Sequence, residues 1–169
     1  MLNRKTYYGI QSLLFIARSK SEKLTPITEI TESLKISRKF LEKILSELRY
    51  EGIVTSKKGR SGGYSINKDL NSISLADIVR ILEGPIALLP CASHRFYESC
   101  KECLTPDKCS LQDALVGVRN DTVHSLKSIK IQDLLTKEIL LKKDAVKAKR
   151  PTPYPVSYTH LTLPTMRTV

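Results

Sequence analysis

Residues 36–66 read ISRKFLEKILSELRYEGIVTSKKGRSGGYSI, and this run decides the fold. Ser37 is a residue type that caps helix N-termini, and after it Phe40, Leu41, Ile44, Leu45 and Leu48 recur at the spacing of an amphipathic helix. Gly52 ends that helix. Ile53 to Ser56 and Tyr64 to Ile66 then read as two short strands. The tip between them, Lys57-Lys58-Gly59-Arg60-Ser61-Gly62-Gly63, holds three cations and three glycines, so the expected hairpin allows close backbone approach and is strongly positive.

Upstream, Tyr7, Ile10, Leu13, Leu14 and Ala17 give a helical stripe over Asn3 to Arg18. Pro26 favours the start of a second, short helix marked by Ile27, Ile30 and Leu34, and Lys35-Ile36 is the tight turn leading into the helix after Ser37. Downstream, Ser74-Leu75-Ala76-Asp77 has the spacing of a capping box, with Asp for the usual Glu, and opens a fourth helix that Gly84-Pro85 stops. From about Ser110, Leu111, Leu115, Val118, Thr122 and Ile129 form the seam of a long helix, read as a dimerisation helix, with packing on the first helix as the alternative. A further helix runs from Ile131 to about Lys142. The expected fold is mainly α: a winged helix-turn-helix with a small β-hairpin wing, a cysteine loop and a long C-terminal dimerisation helix.

The charge pattern agrees with a polyanionic partner. The 169 residues carry 28 Lys+Arg against 17 Asp+Glu, a formal +11. Residues 1–70 hold 14 basic and 7 acidic side chains, while residues 71–150 hold 13 and 10, so the excess sits with the helix-turn-helix and wing. No phosphate-cradling glycine loop, paired histidines at metal-ligand spacing or G-x-S-x-G nucleophile is present, so an enzyme is not expected. The first twenty residues are too short and too interrupted in apolar character for a signal peptide or membrane span, so the expected location is the cytoplasm, away from membranes.

A helix-turn-helix places the start of its second helix in the major groove of double-stranded DNA. Ser37, Arg38, Lys39, Glu42, Lys43 and Ser46 supply polar groups there. Arg38 and Lys39 suit guanine edges or phosphates, and Glu42 suits a cytosine amino group. Lys57, Lys58 and Arg60 on the wing suit phosphates or a minor groove. Tyr64 is read as the anchor of the wing on the core.

With the helix SLADIVRILEG at 74–84 and the cysteine segment that follows, these stretches resemble the Rrf-two family of bacterial winged-helix transcriptional regulators, the IscR/NsrR-like group, over about residues 1–140. The resemblance implies a homodimeric regulator, commonly a repressor, bound to an imperfect palindrome. It places base and groove contacts on Lys39, Phe40, Glu42, Lys58 and Arg60.

The cysteines are spaced Cys91-x8-Cys100-x2-Cys103-x5-Cys109. In a reducing compartment such a cluster points to metal or redox chemistry rather than a disulfide framework. Four thiolates can hold an iron–sulfur cluster, 2Fe-2S or 4Fe-4S, or zinc, although a single CxxC is unlike the paired knuckles of structural zinc. Metal-free thiols are the third reading, with Cys100 and Cys103 as a reversible disulfide pair. The resemblance implies three cluster ligands from this loop, the last two matching Cys103 and Cys109, with Cys91 as the first. Two positions depart from the family: Gln112 stands where one branch has histidine, and no acid precedes Glu22. Cys100 is the residue expected to fill the vacancy, and His94 is a weaker candidate.

The expected divisions are residues 1–84 as the DNA-binding unit, 85–109 as the sensor loop, 110–141 as the dimerisation and terminal helices, and 142–155 as a disordered basic tail. Residues 156–169 form a segment foreign to the rest, since Val156 to Thr165 resembles the translation of a sequencing-library adapter, and His160 is therefore left out of every metal argument.

Overall fold

Side-chain caps start the three principal helices of the N-terminal half. In the computed structural model, which describes residues 3–19, 24–59, 61–100 and 109–145, Asn3 accepts from the Thr6 N–H and opens α1 (Arg4–Arg18). Ser37 accepts from the Phe40 N–H and opens α3 (Arg38–Tyr50). Ser74 and Asp77 form the full reciprocal capping box that opens α4 (Leu75–Glu83). Between the first two, α2 (Ile27–Leu34) ends on Lys35, held in the left-handed region at φ 52°, which makes the turn into α3 tight. Strands β1 (Val54–Lys57) and β2 (Gly63–Ile66) pair antiparallel with Val54 opposite Ile66 and Lys57 opposite Gly63. After α4 come a short 3-10 turn (Pro90–Ala92), α5 (Ser110–Ser128) and α6 (Ile131–Ala145). Among the described residues no helix is long and apolar enough to cross a membrane.

The apolar stripes converge on one core. Leu13, Ile30, Leu41, Ile44, Leu45, Leu48 and Ile78 are fully buried, drawn from α1, α2, α3 and α4. Each such side chain contributes about 1.5–3 kcal/mol relative to exposure. Gly9 of α1 lies directly against the Leu82 side chain, so the close approach of α1 and α4 depends on the missing Cβ. Lys5 is held between the Glu47 carboxylate at 2.6 Å and the Leu82 carbonyl at 2.8 Å, which ties α1 to α3 and to the negative end of α4.

The C-terminal half differs from expectation in two respects, the end of α5 and the end of α6, and adds a contact between α6 and α1 that the sequence did not indicate. Helix α5 ends at Ser128, so Ile129 leaves the seam. Instead its carbonyl accepts from the Leu75 N–H at 3.0 Å, and the Ile131 N–H donates to the Ile73 carbonyl at 3.0 Å. Helix α6, not α5, packs on α1: Ile131 and Leu135 join the core and Arg18 pairs with Glu138 at 2.9 Å. Helix α6 also continues through residues 142–145, which were expected in a disordered tail. No side chain of α5 is buried, and Leu111 and Val118 are 59% and 48% exposed. The remainder of the expected tail, including 156–169, lies outside the described residues.

The capping box also makes an acid-sensitive joint. Burial pushes the Asp77 carboxyl up, but hydrogen bonds from the Ser74 side chain and backbone, with the charges of Arg80 and Lys130, outweigh it and hold the group below its ordinary value of 3.8. A lowered folded value stabilises the protein above the unfolded pKa and loses that contribution as pH falls through the folded one. Asp77→Asn is therefore expected to lower stability near neutrality and to flatten the loss of stability below about pH 4, measured by urea unfolding across pH.

Candidate functional site

The core residues of α3 leave its other face to solvent. Ser37, Arg38, Lys39, Lys43 and Ser46 are exposed, whereas Phe40 and Glu42 are half-buried. Arg38 donates from Nε to Glu42 Oε1 at 2.8 Å, so two side chains expected to contact bases hold each other in the DNA-free chain. An exposed pair at this spacing is worth only about 0.3–0.5 kcal/mol, so both ends are readily released to phosphate or base. Phe40 meets the Tyr8 ring edge-on, with centroids 6.0 Å apart at 88°. It packs against the core, leaving only part of the ring for a groove.

The wing presents Lys57, Lys58 and Gly59 to solvent, and Arg60 lies outside the described residues. Gly59 has φ +117° and its carbonyl accepts from the Gly62 N–H at 2.9 Å, which closes the tip. Tyr64 is half-buried against the core, as its role as anchor requires.

Three features that position this surface were not read from the sequence. Thr25 and Tyr64 exchange backbone hydrogen bonds at 2.9 Å in both directions, adding a single bridge to the edge of the hairpin. A Cβ on Gly63 would stand 2.5 Å from the Thr25 carbonyl oxygen, so this glycine is required by close approach. Arg49 of α3 donates to Ser56 Oγ of β1 at 3.2 Å, joining recognition helix to wing. The doubled glycine of RSGGY was the available signal for the first two. Gly63→Ala is expected to force the hairpin off Thr25 and weaken duplex binding about tenfold with a smaller loss of stability, read by fluorescence anisotropy beside thermal unfolding.

The cysteine segment meets the start of α5. Cys109 is the N-cap, its sulfur accepting from the Gln112 N–H at 3.5 Å, where the positive end of the helix favours negative charge. Gln112 Nε2 donates to the Cys91 carbonyl at 3.0 Å, and Arg119 Nη1 donates to the Ala92 carbonyl at 2.7 Å. Gln112, which departs from the family histidine, thus links the segments that carry Cys91 and Cys109. Those two cysteines are half-buried; Cys100 and His94 are exposed; Cys103 lies outside the described residues. Among the described residues no three of His, Cys, Asp and Glu are gathered to hold a metal ion. The soft thiolate donors suit iron or zinc, but the described residues supply only part of a ligand set.

Comparison with known proteins agrees with this geometry. A family model described as "Rrf2: Iron-dependent Transcriptional regulator" matches residues 2–137. An rrf2-like HTH-type transcriptional regulator of Rhodobacter capsulatus is 35% identical over 138 residues, 80% of this chain and 92% of that protein. The structure of CymR, the global cysteine regulator of B. subtilis, is similar with a TM-score of 0.64 and 28% identity, covering 81% of this chain and 97% of that one. T. potens IscR shares the fold, with a TM-score of 0.61 and 22% identity over 89% of this chain and 93% of its own. The architecture is that of a winged helix, its relatives are transcriptional regulators rather than enzymes, and the chain belongs to the Rrf2 family of DNA-binding transcriptional regulators.

Proposed function

We propose that the chain is a homodimeric, sequence-specific repressor of the cytoplasm that binds an imperfect palindrome and responds through its cysteine segment to an iron–sulfur cluster. The observation that carries the DNA reading is the exposed set Ser37, Arg38, Lys39, Lys43, Lys57 and Lys58, held on α3 and the hairpin by the Thr25–Tyr64 bridge and the Arg49–Ser56 hydrogen bond. Arg60 extends this set in sequence, while Glu42 and Phe40 adjoin it on α3. Self-association is supported by α5, which has no buried side chain along 19 residues and turns Leu111 and Val118 outward.

Cys91, Cys100, Cys103 and Cys109 are the proposed cluster ligands. Bound thiolate-ligated iron would supply a redox-active, signal-labile group. The protein's own contribution is mechanical: the Gln112 and Arg119 hydrogen bonds tie residues 91–92 to α5, so a change at the cysteines is transmitted to the helix proposed to set the spacing of two recognition helices. A metal-free switch is the second reading, with Cys100 and Cys103 as its disulfide pair. Structural zinc with a protein-interaction role is the third.

Anaerobic purification of the full chain followed by visible spectroscopy and iron, sulfide and zinc analysis separates these readings. The expected result is coloured protein with matching iron and sulfide, both lost in Cys109→Ala together with the response of DNA affinity to oxidation. Colourless protein overturns the cluster; bound zinc then indicates a zinc site, and metal-free protein a thiol switch.

A further inference from the structure

A cavity of about 720 Å³ opens between the C-terminal end of α4, the chain from Gly84 to Phe96 and one side of α5, a size typical of small-molecule sites. Its lining includes Arg80, His94, Arg95, Arg119, His124 and Lys127, with no Asp or Glu among the described residues. None of the four permanent cations makes an ion pair among the described residues. Arg119 is held in place by the Ala92 carbonyl at 2.7 Å and Asn120 Oδ1 at 2.8 Å, contacts that orient its guanidinium without neutralising it. Asp77 feels the charge of Arg80, but its carboxylate is engaged by Ser74. Gathering these cations around one hollow is electrostatically unfavourable until an anion enters. Ile86, Phe96 and Val123 add an apolar portion that an inorganic ion would leave uncovered.

We propose that this cavity binds a small organic anion carrying at least two negative charges, a polycarboxylate or a phosphorylated compound. Arg80 approaches from α4, Arg95 from the connecting chain, and Arg119 and Lys127 from α5, so such a ligand is held from three sides. At about 100° per residue, positions 123 and 127 are turned well away from the line of Leu111, Leu115, Val118 and Thr122 on α5, while Arg119 borders that line, one turn on from Leu115. Self-association through that seam would thus leave Lys127 clear and place Arg119 at its edge. Its lining includes neither the cysteines nor the DNA-facing lysines.

Calorimetric titration of the full chain with citrate and with fructose 1,6-bisphosphate, at ionic strength held constant with sodium chloride, tests the proposal. Saturable binding of a single anion per chain is expected, with the preferred probe distinguishing carboxylate from phosphate chemistry. Paired substitution Arg95→Gln with Lys127→Gln is expected to weaken it about tenfold or more, while Lys39→Gln with Lys58→Gln leaves it unchanged. Circular dichroism of each variant confirms that the fold is retained. A flat titration with both probes overturns the proposal, as does binding abolished by the Lys39 and Lys58 pair but not by the Arg95 and Lys127 pair.

Discussion

Replacing Lys39 and Lys58 together by alanine is expected to weaken duplex binding about 100-fold at constant salt, with a base-edge contact worth about 1–3 kcal/mol and a phosphate contact adding a counterion-release term. Both side chains are exposed, one on α3 and one at the wing, and neither makes an ion pair among the described residues. Removing them leaves the packing of the core intact. The discriminating readout is a salt series. Each lost phosphate contact reduces the slope of log affinity against log salt by about 0.9, whereas a lost base contact lowers affinity at unchanged slope. Wild-type affinity and slope in the double variant would show that these two residues do not face DNA.

Leu45→Ala is expected to cost about 2–5 kcal/mol of stability, because a fully buried leucine leaves a cavity in addition to the lost transfer free energy. Against a total of about 5–15 kcal/mol for an ordinary domain, that is a large share. Leu45 sits among Leu41, Ile44 and Leu48 on the buried side of α3, the same helix that turns Lys39 and Lys43 outward. The substitution therefore loosens the platform beneath the recognition surface. Urea unfolding at fixed protein concentration measures the effect, and a change below about 1 kcal/mol would contradict the assignment of this residue to the core.

What could be read in advance was what short-range chemistry determines. Ser37 and the Ser74–Asp77 pair identify their helix starts because a cap is a contact over three residues, visible as a spacing. The wing was legible for a similar reason, since its glycines and cations sit together. Long-range pairing was not. Nothing local to Thr25 announces that its backbone meets Tyr64, although Gly63 records the result as a missing Cβ. Ile129 continued the apolar period of α5 and was read as part of it. It lies at a break because its carbonyl is taken by Leu75, while Asp133 accepts from the Lys130 N–H at 2.9 Å and restarts the helix. Residues 142–145 continue α6 where charge alone had indicated a tail.

The candidate site divides along the same line. The exposed face of α3 followed from the burial of its opposite face, but the choice of Arg38 and Glu42 as independent base readers overlooked their own i,i+4 pairing. Cysteine spacing pointed to metal or thiol chemistry without showing what joins the cysteines to α5. Gln112, read only as a missing histidine, makes that connection through hydrogen bonds on both sides. The cationic cavity could not be read at all, because Arg80, Arg95 and Arg119 come from three separate stretches of chain.

Selection of bound duplexes from a random-sequence library by the purified full chain tests the DNA reading most directly. The expected result is enrichment of one imperfect palindrome whose half-sites lie about one helical turn, or a small multiple of it, apart, with enrichment lost in the Lys39→Ala, Lys58→Ala chain. Recovery of no common sequence from the wild-type chain, or the same motif at undiminished strength from the double variant, would contradict it.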